Sequence, residues 1–444
     1  MRRTLALVAA LLLPTVVLAG LAFGQTRTTV GLPGARTPTQ LLTAPLPTTG
    51  PGAAQLQHGR SLVIAGDCLS CHTRPGGVPM AGGLGLHTPF GLIYTSNLTS
   101  DRQNGIGAWT PDQFYRAMHE GRGLGGRYLY PAFPYPNFTN VTRPDSDAIL
   151  AYLKTVPAVS YAPPANKLPF PFSFRPIIWG WNLLFFHPHT FQGDAGKSAQ
   201  WNRGAYLVTG LGHCGGCHTP VNLFGAAQNS KSFYGGYLEN WVAPDLTTNP
   251  RTGLGGWTAP EVTEFLKTGR NDRAQASGLM GDVISYSTSL MSDADLQSVV
   301  TYLKTRPASP SPSPSAPDAA VMRRGAAIYS DACASCHLEQ GVGQPRYFPP
   351  LGKNAVVQQT NPDGVLHMII AGTRTAPTLA RPSPLSMPSF AWKLTDQEIA
   401  DVTTYMRNSW GNGAPPVSAD RVTALRRKLG LKTSVLTQNS GDHY

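Results

Sequence analysis

The chain has 444 residues, a formal net charge of +12 and six cysteines. It is too long for one compact core and fits about three domains of ~100–200 residues each. Glycine and proline are frequent while charged residues make up only 14%, which favours small helical domains with much loop. Beyond Arg426-Arg427-Lys428 the sequence has no basic run, so its charge argues against nucleic acid and suits anionic lipid or an acidic protein better.

The N-terminus is typical of an exported protein. Met1-Arg2-Arg3 precedes an apolar run, which predicts a signal peptide over residues 1–24, with an uncleaved membrane anchor as the alternative. Residues 25–57 are rich in threonine, proline and glycine without apolar periodicity and predict a flexible leader. Export places the protein at the periplasmic face of the bacterial cytoplasmic membrane.

The pentapeptide Cys-x-x-Cys-His occurs three times and uses all six cysteines. This pattern is typical of haem c, in which both thiols bond to the haem vinyl groups and the histidine ligates the iron. Because no cysteine is left over, a disulfide framework or a zinc site of four thiolates cannot compete. The predicted attachment residues are Cys68 and Cys71, Cys214 and Cys217, and Cys333 and Cys336, with His72, His218 and His337 as proximal iron ligands.

Two stretches, 58–157 and 202–307, form a diverged internal repeat. After the haem motif each contains Asn-Leu-Thr or Asp-Leu-Thr and then Gly-x-Gly-x-Trp-Thr. The threonine is a candidate N-cap for helices predicted at Pro111–Glu120 and Pro260–Thr268. Each stretch closes with a second helix that a proline ends.

A third stretch, 323–410, keeps the opening helix, the haem motif and the closing helix but lacks the middle insert. Its closing helix begins at a capping box that runs from Thr395 to Glu398. The shared set of elements matches the class I cytochrome c domain. The sequence therefore predicts an all-α fold of three such domains in tandem, joined by loop-rich linkers.

The linkers and the tail differ in character. Residues 308–322 begin with alternating serine and proline and predict an extended spacer. Residues 158–201 include the aromatic run Ile177–Phe186, which is too short to span a bilayer. It could dock on a partner, enter the membrane interface, or seal the first two domains together.

The tail, 411–444, contains a basic amphipathic helix that suits a membrane surface or an acidic groove, or packs on its own domain.

A haem that only transfers electrons is expected to keep a second axial ligand, and a methionine sulfur raises its potential relative to a second histidine. In the third domain Met387 lies before the closing helix and is the predicted ligand. In the second, Met280 lies in the equivalent zone. Met291 directly precedes the candidate N-cap Ser292 and looks instead like a residue that packs on the helix.

The first domain has no methionine at this place. Phe133, in Tyr-Pro-Ala-Phe-Pro-Tyr, stands where a ligand is expected, and phenylalanine cannot bind iron. Either the first iron lacks a sixth ligand, or Met118, His119 or Met80 reaches it. A catalytic alternative for the protein, a ligand-binding or peroxidase-like first haem, depends on this position alone.

Several motifs resemble the tri-haem cytochrome c subunit of membrane-bound dehydrogenases of acetic acid bacteria, over most of residues 58–410. They are the segment AGG…TPFG…IYTSNLT, the repeated GxGxWT, LYPAFPYPNF and MPSFAWKLTDQEI. The resemblance implies a subunit with no substrate chemistry of its own. It would take electrons from a catalytic subunit of the pyrroloquinoline-quinone (PQQ), molybdopterin or FAD type, pass them through three haems to ubiquinone, and hold the complex, including any small third subunit, at the membrane. The family has methionine where Phe133 stands. A freely diffusing periplasmic shuttle is a further alternative.

Overall fold

The computed structural model describes residues 37–311 and 316–431. The expected signal peptide, the centre of the Ser/Pro linker and the end of the tail lie outside these ranges. The described chain is largely helical and contains three similar sets of elements. Across these ranges every helix falls short of the length and apolarity that a bilayer span requires.

The first set begins with a short helix and contains a two-stranded antiparallel ribbon between its haem motif and its middle helix. Its elements are α1 (Pro38–Thr43), α2 (Ala53–Ala65), α3 (Cys68–Cys71), β1 (Gly85–Thr88), β2 (Gly91–Tyr94), α4 (Pro111–Glu120), α5 (Tyr135–Phe138) and α6 (Arg143–Leu153).

A linker helix joins the first set to the second, which repeats the same order. The elements are α7 (Pro176–Phe185) in the linker, then α8 (Ala199–Thr209), α9 (Cys214–His218), β3 (Gly236–Leu238), β4 (Trp241–Ala243), α10 (Ala259–Thr268), α11 (Gly278–Tyr286) and α12 (Asp293–Leu303).

The third set moves its ribbon to the far side of the middle helix and adds a terminal helix. Its elements are α13 (Ala319–Ala332), α14 (Ala334–His337), α15 (Asp363–Ala371), β5 (Thr373–Arg374), β6 (Ser386–Met387), α16 (Asp396–Arg407) and α17 (Ala419–Lys428).

In every set the opening and closing helices cross at a glycine. A Cβ added to Gly59 of α2 would lie 2.0 Å from the carbonyl oxygen of Ala148 in α6. Gly204 and Gly325 hold the same place in the other sets, where the added Cβ would lie 1.9 Å and 2.4 Å from a carbonyl oxygen of the closing helix. The same close backbone approach, used three times, relates the three sets to one another.

The helix starts follow the sequence closely. Thr110 and Thr258 cap α4 and α10, each within a capping box completed by the residue three positions later. Thr395 and Glu398 form the predicted box at α16. Helix α4 has the predicted bounds, and α10 begins one residue before the predicted proline.

The leader differs from its expectation. Instead of being flexible throughout, residues 37–57 contain α1 and the start of α2. Leu41 and Leu42 are buried in the main core, and the carbonyl of Leu41 accepts a hydrogen bond from the hydroxyl of Tyr152 at 3.3 Å. Tyr152 lies 111 residues away in the chain, whereas the start of α1 has a local signal, the capping box of Thr37 and Gln40.

The three ribbons are also additions to the predicted all-α fold. Each is short: four pairs in β1–β2, three in β3–β4 and two in β5–β6. A strand of two to four residues carries too little alternation to be recognised in a sequence.

The tail helix packs on its own set. Val422 and Leu425 of α17 are buried, and α17 contacts α16 and α15. Arg426 is buried as well; it pairs with Asp396 at 2.7 Å and donates to two carbonyl oxygens. Of the alternatives for this helix, the described residues therefore favour packing on the third set.

Candidate haem attachment sites

The three Cys-x-x-Cys-His motifs form short helical turns directly after the opening helices. All six cysteines are free. Burial raises the pKa of Cys68, Cys71 and Cys214 to about 12 and that of Cys217 and Cys333 to about 11. These values contrast with the lowered pKa values of thiols that catalyse redox exchange. Free thiols paired at this spacing are, however, what thioether attachment to haem requires.

Each motif histidine has its Nδ1 within hydrogen-bonding distance of a backbone carbonyl. A donating Nδ1–H fixes the tautomer and leaves the Nε2 lone pair free for a metal. Burial lowers the pKa of all three imidazoles, which favours the neutral form that ligates iron. The contacts are His72 to Ser96 at 2.7 Å, His218 to Pro244 at 2.6 Å and His337 to Pro349 at 2.9 Å.

The ribbons explain how these carbonyls are brought into place. Ser96 and Pro244 follow β2 and β4 by one or two residues, so the hairpin returns the chain to the histidine. In the third set a short loop reaches His337 from Pro349 without a ribbon. The sequence does not reveal these acceptors because a backbone carbonyl has no residue signature.

The predicted methionines lie after the middle helices of their sets. Met387 is in β6, opposite Thr373, and packs against the core of the third set. Met280 is in the first turn of α11, where it contacts both the main core and a small cluster shared with the third set. Met291 is buried and directly precedes Ser292, the N-cap of α12. Its place agrees with a packing role.

A shared backbone hydrogen bond aligns Phe133 with Met280. The N–H of Leu129 donates to the carbonyl of the glycine that ends α4, and the N–H of Ala276 makes the same 2.8 Å bond to the glycine that ends α10. Phe133 and Met280 each follow this bond by four residues. The two residues therefore correspond in the alignment of the sets, although Phe133 directly precedes the N-cap of α5 and Met280 lies in the first turn of α11.

Met80 corresponds to a core aromatic residue. Its N–H donates to Thr73 at 3.1 Å, just as the N–H of Phe233 donates to Thr219 at 3.0 Å in the second set. Met80 is fully buried and belongs to the main core, as Phe233 does. Met80 is therefore a packing residue of the core, in the loop that follows the motif histidine.

Met118 and His119 lie on α4, whose register with α10 follows from the matching N-caps. Met118 corresponds to Leu266, and both are buried in the core. His119 corresponds to Lys267, whose ammonium pairs with the start of α12. His119 stacks on Tyr115 with ring centroids 4.8 Å apart. Neither residue lies in the segment that carries Phe133.

The first two attachment sites adjoin each other. Asp67 and His213, the residues before each first cysteine, both have left-handed backbones with φ of 49° and 33°. Helix α11 packs against α3. After burial and Asp67, the charge of Cys217 further raises the pKa of Cys71.

The second and third sets meet through the segments that carry the predicted methionines. The N–H of Ala376 donates to the carbonyl of Ala276 at 3.1 Å. Trp241 of β4 stacks on His367 of α15, with ring centroids 3.9 Å apart. The chain thus brings the three candidate haem sites into one continuous row of contacts.

Known proteins resemble this chain over most of its length. A model of the cytochrome c family matches residues 322–410. Over 84% of its length the chain is 38% identical to the cytochrome c subunit of the quinone-type alcohol dehydrogenase of Gluconobacter oxydans, of which it covers 82%. It is 35% identical to the gluconate 2-dehydrogenase cytochrome c subunit of Pantoea cypripedii, again over 84% of its length, and covers 90% of that protein.

A longer relative has a different name. Over 89% of its length the chain is 38% identical to a nicotinate dehydrogenase subunit of Pseudomonas putida, but it spans only 33% of that protein. The match shows that a region of this kind also occurs within a larger chain. From the histidine geometry, the family match and the two relatives that the chain covers almost fully, we conclude that this protein belongs to the cytochrome c subunits of dehydrogenases.

Proposed function

We propose that the chain is a tri-haem c electron-transfer subunit built of three class I cytochrome c domains. It accepts electrons from a periplasmic catalytic subunit that oxidises an alcohol, an aldehyde, a sugar or a sugar acid, and passes them to ubiquinone. The observation that carries this proposal is the threefold recurrence of one arrangement: a free cysteine pair followed by a histidine whose Nδ1 faces a backbone carbonyl.

The contacts between the sets support a relay. Carriers that are not attached to one another would have to meet by diffusion. Here α11 of the second set touches α3 of the first set. Ala276, just before α11, accepts a hydrogen bond from Ala376 of the third set. Met280 and Met387 are the proposed sixth ligands of the second and third irons. Fixed neighbours of this kind keep the distances for electron transfer constant.

The haem count tests this proposal. The purified full-length chain should contain three haem c groups by pyridine haemochrome assay, and replacing both cysteines of any one motif by alanine should lower the count by one. The chain alone should oxidise no alcohol, aldehyde or sugar. A single haem per chain, or substrate oxidation without a partner, would contradict the proposal.

We also propose that the linker surface holds the complex at the membrane. This surface consists of exposed apolar side chains of α7 and of a loop of the second set: Trp179, Leu183, Leu184, Leu223 and Phe224. Two contacts join its parts: the Trp181 indole N–H donates to the carbonyl of Phe224 at 2.8 Å, and the rings of Phe185 and Phe224 lie 5.7 Å apart.

The inner face of α7 has a different role. Ile178 is buried, and Asn182 accepts a hydrogen bond from the hydroxyl of Tyr135 at 2.5 Å. The helix therefore seals the first two sets with one face and leaves the other apolar face exposed. Tryptophan and leucine on such a face suit the lipid headgroup boundary.

A vesicle-binding experiment tests the linker surface. Leu183 and Leu184 are 64% and 70% exposed, and burying a leucine contributes about 1.5–3 kcal/mol. Replacing both with serine should weaken co-sedimentation with lipid vesicles by roughly tenfold or more. Leu379→Ser, at a 68% exposed leucine of the third set, is the control. Unchanged vesicle binding with loss of the catalytic subunit would assign the surface to that partner instead.

A further inference from the structure

We propose that the iron of the first haem has a single protein ligand, His72, and that its other face is an apolar pocket beside Phe133 which binds a small neutral diatomic molecule. The inference rests on the proposed function in one respect: a haem must be attached at Cys68 and Cys71. It goes beyond that function because an electron carrier with two fixed ligands has no open position.

The register between the sets removes the expected sixth ligand. The matching backbone bonds of Leu129 and Ala276 align Phe133 with Met280 of the second set. A thioether sulfur offers a lone pair to iron, but a benzyl side chain offers none. The segment that would supply the sixth ligand of the first iron therefore supplies a hydrocarbon.

The other donors in the first set lie at positions that hold no predicted iron ligand in the second set. Met80 and Met118 are buried in the main core, at places that Phe233 and Leu266 occupy in the second set. His119 lies where the second set has a lysine; it stacks on a tyrosine of its own helix, and its buried Nδ1 has no hydrogen-bond partner among the described residues. Met80 and Met118 therefore have packing positions that do not depend on haem ligation, and the alignment with a lysine sets His119 apart from the predicted ligands.

The half-buried ring of Phe133 has an aromatic neighbour. Its ring packs edge-on against Phe138 at 5.3 Å. The hydroxyl of Tyr130 donates to the carbonyl of Phe172 at 2.8 Å, and that of Tyr135 is bonded to Asn182. Both flanking tyrosines thus direct their hydroxyls at the linker.

The polarity around an open iron position determines which small molecules bind there. The polarity of the distal pocket, and its hydrogen-bond donors above all, decide whether a haem merely binds a ligand or activates oxygen. With the nearby hydroxyls engaged elsewhere, the pocket suits carbon monoxide or nitric oxide.

Reciprocal variants of the full-length holoprotein test the inference, with carbon monoxide as the probe. The dithionite-reduced protein should bind carbon monoxide at one haem of three, seen in the Soret spectrum. Phe133→Met should abolish this binding and raise the midpoint potential of one haem. Phe133→Leu, an apolar residue without a donor atom, should retain it. Met280→Phe should open a second haem, so that two of three bind.

The outcomes separate cleanly. If the wild-type protein carries three haems and none binds carbon monoxide, the first iron has another ligand and the inference is wrong, while the proposed function stands. If Phe133→Met still binds carbon monoxide at one haem, Phe133 does not lie over that iron and the inference fails as well. A count below three haems, with the first motif empty, would instead count against the proposed function. The haem count also shows whether the Met280→Phe protein has folded; if it has not, the Phe133 variants decide alone.

Discussion

Single residues carry much of the architecture. The crossing glycines lie so close to the facing helix that a methyl group cannot be accommodated without moving the backbone. Away from these crossings, a backbone carbonyl from a hairpin or a short loop holds each motif histidine. Small side chains and backbone atoms, more than charged groups, therefore define the candidate sites.

Alanine at a crossing glycine should destabilise the holoprotein. The Cβ of Gly204→Ala would lie 1.9 Å from a carbonyl oxygen, and overpacking of this kind costs about 1–3 kcal/mol or more. Gly180→Ala is the control, since nothing lies within 4 Å of its added Cβ and alanine favours a helix by about 1 kcal/mol. Thermal unfolding should show a lower midpoint for the first variant and an equal or higher one for the second. An unchanged midpoint for Gly204→Ala would contradict the crossing geometry.

The carboxyl group of Asp67 makes the stability of the folded protein depend on pH. Burial raises the pKa of its carboxyl from 3.8 to about 7; a hydrogen bond from Ser70 opposes this, and Asp282 adds to it. The folded protein therefore holds this proton more tightly than the unfolded chain. Its contribution to stability is present at acid pH and is lost as the pH rises to about 7. Asp67→Asn should flatten the fall in unfolding midpoint between about pH 4 and pH 7; the same slope as wild type would count against it.

At the scale of elements, the helices that can be predicted from the sequence are those with N-cap residues and prolines at their ends. Thr110, Thr258 and Thr395 can be found as N-caps from the sequence because their hydrogen bonds are local. Helix α1 has the same local signal, a capping box of Thr37 and Gln40 with a proline at the start of the helix, within a stretch that its composition predicts to be flexible. The three ribbons have no such signal, since they are hairpins of a few residues. Counting residues from each motif histidine suggests that Phe133 and Met280 correspond. The backbone bonds of Leu129 and Ala276 are needed to align the first set with the second at this point.

The contact between β4 and α15 should hold the second and third sets together. Trp241 stacks on His367, and a Cβ on Gly278, two residues before Met280, would lie 2.7 Å from the indole. Trp241 is half-buried, so loss of its ring should cost less than the loss of a fully buried aromatic side chain, about 3–5 kcal/mol. Trp241→Ala should therefore split one calorimetric unfolding transition into two, whereas Trp392→Ala, at an exposed indole, should not. A single transition at the wild-type temperature would show that the sets do not depend on this contact.

At the scale of the whole molecule, the three similar sets of elements contact one another in different ways. The first two share an interface at their haem motifs, and the third joins the second through its methionine segment. The relatives bear names of dehydrogenases with different substrates, which agrees with a chain that handles electrons and leaves substrate recognition to a partner.

The most direct test of this account is a coulometric titration of the purified full-length protein, followed in the visible haem bands. The account predicts three electrons accepted per chain, with the first haem separable from the other two by its response to carbon monoxide. Uptake of one or two electrons per correctly folded chain would contradict it.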